Sequence, residues 1–152
     1  MFELLQSLPI AASLRRSIWL FPAIEIAHLA GIALLFGTVV VADLTLLGAL
    51  RSPSLKASVR PLLAVTKTGI VLAACSGFLL FCSDPQEFWN NPAFRLKLAA
   101  FSLAIVNALL FQKYLAQSHS TSSSRLLTKI SICMSLILWS AILTLGRAIA
   151  YV

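Results

Sequence analysis

Three ionisable residues lie within one long apolar stretch near the start of the sequence. They are Glu25, His28 and Asp43, residue types that transfer protons or, for histidine, bind a metal ion or a haem iron. On an α-helix Glu25 and Asp43 are about five full turns apart, and His28 follows Glu25 by one turn on nearly the same face. Since lipid cannot satisfy such groups, we expect this polar stripe to face the protein interior or a hydrated crevice.

Later apolar segments carry polar and charged residues at matching depths, provided that each helix crosses a bilayer upright. The first predicted layer of such residues consists of Glu25, His28, Arg95, Lys97 and Arg147. The second predicted layer, about 10 Å inside the opposite face by the helical rise, consists of Asp43, Lys67, Asn107 and Gln112. Buried ion pairs also hold helices in register without any chemistry, so a structural role stays open beside a functional one.

The composition indicates an integral membrane protein. Of 152 residues 59% are hydrophobic and only 11% are charged, which is unlike an ordinary soluble domain. A bilayer core needs roughly 20 helical residues, and four apolar segments meet that length. They lie at about residues 18–50, 61–82, 92–117 and 126–151. The sequence therefore predicts an all-α, four-helix transmembrane bundle that forms a single domain over residues 1–152.

Turn residues separate the four segments. Pro61 and Pro92 suit the first turn of a helix, where a missing N–H has no intrahelical partner. Polar connections at 83–92 and 118–124 complete the boundaries, and His119 lies in the second of them. Residues 2–14 are predicted to form a short interfacial helix, or else a frayed terminus.

The charge distribution bears on orientation and on partners. The predicted side opposite the termini carries six basic residues, namely Arg51, Lys56, Arg60, Lys113, Arg125 and Lys129. Positive loops tend to stay in the cytoplasm, so both termini are predicted outside it. The net charge of +7 fits this topology and contact with anionic lipids. No interleaved basic and aromatic patch indicates nucleic acid.

Small residues in the apolar segments are expected to serve packing. The six glycines, Gly31, Gly37, Gly48, Gly69, Gly77 and Gly146, are interpreted as sites of close approach between helices. The three cysteines form no CxxC pair and are interpreted as apolar fillers, not as metal ligands. No GxSxG or HExxH pattern of a hydrolase occurs in the sequence.

Several segments resemble known membrane proteins. The runs 20–37, 43–48, 91–97 and 146–151 together look like an uncharacterised family of small bacterial four-helix membrane proteins. More distantly, His28 followed by Gly31, and the Arg95-Leu-Lys97 run, resemble the membrane protoporphyrinogen oxidase of the HemJ type. Copper-resistance membrane proteins of the CopD type share a similar His-then-Gly helix.

The second resemblance implies a tetrapyrrole site. His28 would be an axial ligand of a haem iron, with haem b or another porphyrin as cofactor, and Lys97 a partner for a propionate or for a reacting proton. Glu25, Arg95 and Arg147 would tune the charge around it. The chain departs from a bis-histidine pattern, because Gln112 stands where a second ligand would be expected.

Three hypotheses of function follow, and enzymatic activity stays open. The first is a tetrapyrrole-binding or redox-linked membrane protein. The second is a non-catalytic subunit or assembly partner of a membrane complex, or a homo-oligomer, consistent with the short loops. The third is a small proton-coupled carrier that works through the two polar layers; four helices enclose little room for it.

Overall fold

The computed structural model describes residues 13–14, 16–50, 52–117 and 122–152, and most of these residues are helical. The helices are α1 (Leu20–Leu46), α2 (Pro53–Ser83), α3 (Pro85–Asn90), α4 (Pro92–Gln117) and α5 (Ser122–Ala148). Four apolar stretches are long enough to cross a membrane, namely Leu20–Leu46, Pro61–Ser83, Pro92–Lys113 and Leu126–Ala148. The prediction of an all-α protein with four membrane-length helices is confirmed, and the chain is an integral membrane protein.

The second helix begins earlier than predicted. It starts at Pro53, directly after Ser52, so Pro61 lies inside the helix and not in its first turn. Pro53 itself takes the first-turn position that was assigned to Pro61. Apolar periodicity marks only the bilayer-crossing part of a helix, which is why the polar turns before Pro61 were missed.

The connection at 83–92 contains the short helix α3, which was not predicted. The Asp84 carboxylate accepts a hydrogen bond from the Glu87 backbone N–H at 3.2 Å, and Pro85 follows in the first turn. Asp, Pro and Glu at these offsets are a helix-start pattern that the sequence already displays.

The first helix ends at Leu46 and not near Leu50. Gly48 has a φ of +80°, the left-handed conformation that glycine adopts at little cost, and its N–H donates to the Thr45 carbonyl at 3.1 Å. A Cβ atom at Gly48 would meet nothing within 4 Å. Gly48 therefore terminates α1, and its prediction as a close-packing site is wrong.

The described chain forms two compact units. One comprises the described residues of Met1–Val39 and Ser58–Asn90, and the other comprises those of Val40–Ala57 and Asn91–Val152. We call them the first and the second unit. The boundaries fall within α1 and α2, and the single domain over 1–152 stays a prediction. The interfacial helix at 2–14 lies outside the described residues except for its last two positions.

In the first unit α1 and α2 pack closely and antiparallel. A Cβ atom at Gly31 would lie 2.6 Å from the Ala73 backbone nitrogen, and one at Gly69 would lie 2.7 Å from the Leu35 backbone nitrogen. Both distances are too short for any residue with a side chain. Gly31 and Gly69 are thus close-packing sites, as predicted, whereas Gly37 has nothing within 4 Å.

In the second unit α4 and α5 pack antiparallel. The Asn91 carboxamide joins their ends: its oxygen accepts from the backbone N–H of Ala93 at 2.9 Å, and its nitrogen donates to the Ile149 carbonyl at 3.0 Å. Further along, the rings of Phe101 and Trp139 meet edge to face, with centroids 6.0 Å apart. The predicted start of this helix at Pro92 is confirmed.

Candidate functional site

His28 is bonded to the backbone of α2. Its Nδ1 lies 2.9 Å from the Ala73 carbonyl oxygen and 3.1 Å from the Ser76 hydroxyl oxygen. The side chain is half-buried, and both partners belong with it to the first unit. The Ser76 hydroxyl donates to the Leu72 carbonyl at 2.5 Å, which leaves its lone pairs free to accept from the ring.

Gly77 provides the space for the imidazole ring. A Cβ atom at Gly77 would lie 2.9 Å from Cε1 of His28 and 3.3 Å from its Nδ1. A helical carbonyl points towards the residue four positions later, so a ring that reaches the Ala73 oxygen must pass over position 77. The glycine is therefore what allows the hydrogen bond.

The carbonyl partner decides which nitrogen of a neutral ring carries the proton. A carbonyl oxygen only accepts, so Nδ1 of His28 must be the N–H donor to Ala73. Nε2 is then the nitrogen with the lone pair. Histidines that ligate metals commonly have this arrangement, with one ring nitrogen donating to a carbonyl and the other facing the metal.

Glu25 does not share this environment. Its side chain is exposed, whereas we expected it to face inward with His28 and Asp43. It lies five residues after the start of α1 at Leu20, about 7 Å along the helix axis. At that depth a carboxylate reaches the polar edge of a bilayer, where water satisfies it, so the inward orientation is wrong for this residue.

The predicted basic residues Arg95, Lys97 and Arg147 all belong to the second unit. Lys97 is half-buried, with its Nζ 3.3 Å from where a Cβ of Gly146 would stand. Arg147 is exposed; it donates to the Tyr151 hydroxyl at 2.8 Å, with its guanidinium over the same ring. Arg95 is exposed. The predicted layer joins residues of both units and stays a prediction.

The residues of the second predicted layer also belong partly to one unit and partly to the other. Asp43 and Asn107 belong to the second unit, and Lys67 to the first, where it is exposed. Gln112 is exposed too. The Asp43 carboxylate, buried with 8% exposure, accepts a hydrogen bond from Ser135, a partner that was not predicted.

Serines on apolar helices are the partners that sequence reasoning missed. Ser76 binds His28, Ser135 binds Asp43, and Ser131 forms two hydrogen bonds with Asn107, at 2.9 and 3.0 Å. Ser131 and Ser135 are four residues apart and thus share one face of α5. That spacing within an apolar helix was the available signal. Of the described residues, no group of three or more His, Cys, Asp or Glu could hold a metal ion.

These features define an integral membrane protein with an intramembrane histidine held by a neighbouring helix. The sequence matches no family model, no curated protein and no solved structure. The resemblances to small bacterial four-helix membrane proteins, to HemJ-type oxidases and to CopD-type proteins therefore stay predictions.

Proposed function

We propose that this protein binds haem b or another porphyrin in a bacterial cytoplasmic membrane, with Nε2 of His28 as an axial ligand of the iron. The observation that carries the proposal is the hydrogen bond from Nδ1 of His28 to the Ala73 carbonyl. It assigns the lone pair to Nε2 and fixes the plane of the ring. Both are requirements for a histidine ligand.

A porphyrin needs few ligands from the protein. The macrocycle supplies four nitrogen donors, so one histidine suffices for a five-coordinate iron. The apolar surroundings of His28 on α1 suit a largely hydrophobic macrocycle. The role of Lys97 as a partner of a propionate, and that of Arg95 and Arg147 in tuning the charge around the porphyrin, remain sequence-based predictions. The location of both termini on the non-cytoplasmic side is a sequence-based prediction too.

An absorption spectrum tests this proposal. Wild-type protein purified in detergent from haem-replete bacteria is expected to show a Soret band, and the His28→Ala variant is expected to lose it completely. His119→Ala is the matched control, because His28 and His119 are the only two histidines of the sequence. This control is expected to keep the full band per mole of protein.

Two outcomes contradict the proposal. One is a colourless wild-type preparation from haem-replete cells, and the other is a His28→Ala protein with an undiminished band. The second candidate function is a non-catalytic subunit of a membrane complex, supported by the exposed side chain of Lys67 on an apolar helix, which lipid cannot satisfy. A colourless wild type whose His28→Ala variant only expresses less would favour that candidate.

A further inference from the structure

Asp43 is an acidic residue that the proposed porphyrin site does not use. It lies in the last turn of α1 within the second unit, and its side chain is 8% exposed. The adjacent Ala42 and the nearby Thr45 are buried as well. A carboxylate in such surroundings needs donors or a cation to replace the water that it has lost.

Only one of its oxygens has a donor. The Ser135 hydroxyl supplies the hydrogen bond, and Oδ2 is buried with no partner among the described residues. Thr45 does not help, because its hydroxyl donates to the Val41 carbonyl at 2.6 Å. Within the described part of the second unit Asp43 forms no ion pair.

The nearest polar neighbours along α5 are also occupied. Ser131, one turn before Ser135, donates to the Asn107 carboxamide oxygen at 2.9 Å, and its carbonyl accepts from the Asn107 carboxamide nitrogen at 3.0 Å. Asn107 and Ser131 are uncharged, and these two hydrogen bonds occupy the carboxamide and the serine hydroxyl. The structure thus leaves Oδ2 of Asp43 buried and open, while the other carboxylate oxygen accepts from Ser135 of α5.

We propose that Asp43 is a binding site for a monovalent cation, H⁺ or Na⁺, taken up by Oδ2. A proton would convert the carboxylate to a neutral acid, with the Ser135 hydroxyl still bonded to it. A sodium ion would lie on Oδ2 and draw on the lone pairs of the Ser135 hydroxyl. Neither Asp43 nor Ser135 is a residue of the proposed porphyrin site.

Labelling with dicyclohexylcarbodiimide tests the site on the full chain in detergent. A nitrogen atom of the reagent accepts the proton of a protonated carboxyl group, and the resulting carboxylate oxygen bonds to the central carbon of the reagent. The adduct then rearranges to a stable N-acylurea. Peptide mass spectrometry is expected to find the adduct at Asp43. Its rate should fall about tenfold per pH unit once the acid ionises.

Variants and salts distinguish the alternatives. Asp43→Asn is expected to abolish the adduct, and Glu25→Gln, the matched change of the other acidic residue of α1, is expected to leave labelling of Asp43 unchanged. Sodium chloride that slows labelling relative to choline chloride would assign the site to Na⁺, and equal rates in both salts would assign it to H⁺.

The proposal is overturned if wild-type Asp43 stays unlabelled from about pH 5 to about pH 9, a range that lies above the ordinary pKa of a carboxyl group and below that of a lysine. A water-soluble carbodiimide with an amine must label Glu87 in the same sample, which shows that the chemistry works. This result needs no variant, so a misfolded Asp43→Asn protein would not obscure it. It also leaves the Soret band of the wild type as a separate readout.

Discussion

Gly31→Val is expected to lower the free energy of unfolding by about 1–3 kcal/mol, the usual cost of overpacking a tight interface. A Cβ at this position would lie 2.6 Å from the Ala73 backbone nitrogen and 3.0 Å from its Cα. The obstructing atoms belong to the backbone of α2, so no side-chain rotation relieves them. The two helices of the first unit must separate instead.

Thermal denaturation in detergent, followed by near-ultraviolet circular dichroism, measures this effect. A loss of each kcal/mol corresponds to about 2–4 °C in a chain of this size. Gly37→Val is the matched control on the same helix, because nothing lies within 4 Å of a Cβ there. We expect it to change the free energy by less than about 0.5 kcal/mol. Equal melting temperatures for the two variants would show that α1 and α2 do not pack as described.

Gly77→Val is expected to weaken porphyrin binding by about 10–100-fold, the usual effect of removing a group that orients a metal ligand. The histidine remains, but a Cβ only 2.9 Å from its Cε1 displaces the ring. The 2.9 Å hydrogen bond to the Ala73 carbonyl is then lost, and Nε2 no longer has a fixed direction.

Titration of purified apoprotein with haem, followed by absorption, gives this affinity. Ala74→Val is the matched control, since Ala74 is exposed on the same helix three residues earlier. It is expected to bind haem as the wild type does. If Gly77→Val also bound with wild-type affinity, the orientation of His28 by α2 would be irrelevant to the ligand.

The same close packing underlies both predictions. Gly31 and Gly69 bring the backbones of α1 and α2 together, and the short distance between helices allows His28 to reach a carbonyl oxygen of α2. Ala73 takes part in both contacts. The hydrogen bond of His28 therefore depends on three small residues of α2 that are four positions apart, Gly69, Ala73 and Gly77.

Much of the fold could be predicted because the bilayer sets the length of apolar helices. The helix predicted at 92–117 has those bounds in the structure, since Pro92 and the polar run after Gln117 delimit it. Helix ends outside the apolar stretch were less predictable. The polar turns from Pro53 to Arg60 give no hydropathy signal. A glycine such as Gly48 is equally typical of a packing position and of a helix end, so the sequence does not distinguish the two.

The site was predicted in part. The apolar context of His28 and Asp43 marked them as costly to bury, and the structure gives each a specific hydrogen-bond partner. Their serine partners could not be chosen, because a serine in an apolar helix equally bonds its own backbone, as Ser102 does. The orientation of the Glu25 side chain was predicted wrongly, because helical periodicity gives the face on which a residue lies but not its distance from the helix end.

The tautomer of His28 tests the central claim most directly. Nitrogen-15 NMR of the ¹⁵N-histidine-labelled apoprotein in detergent, with the His28→Ala variant to assign the signals, reports which ring nitrogen carries the proton. For a neutral His28 ring we predict a protonated Nδ1 and an imine-type Nε2. A proton on Nε2 with a bare Nδ1 would contradict the hydrogen bond to Ala73 and the ligand role built on it.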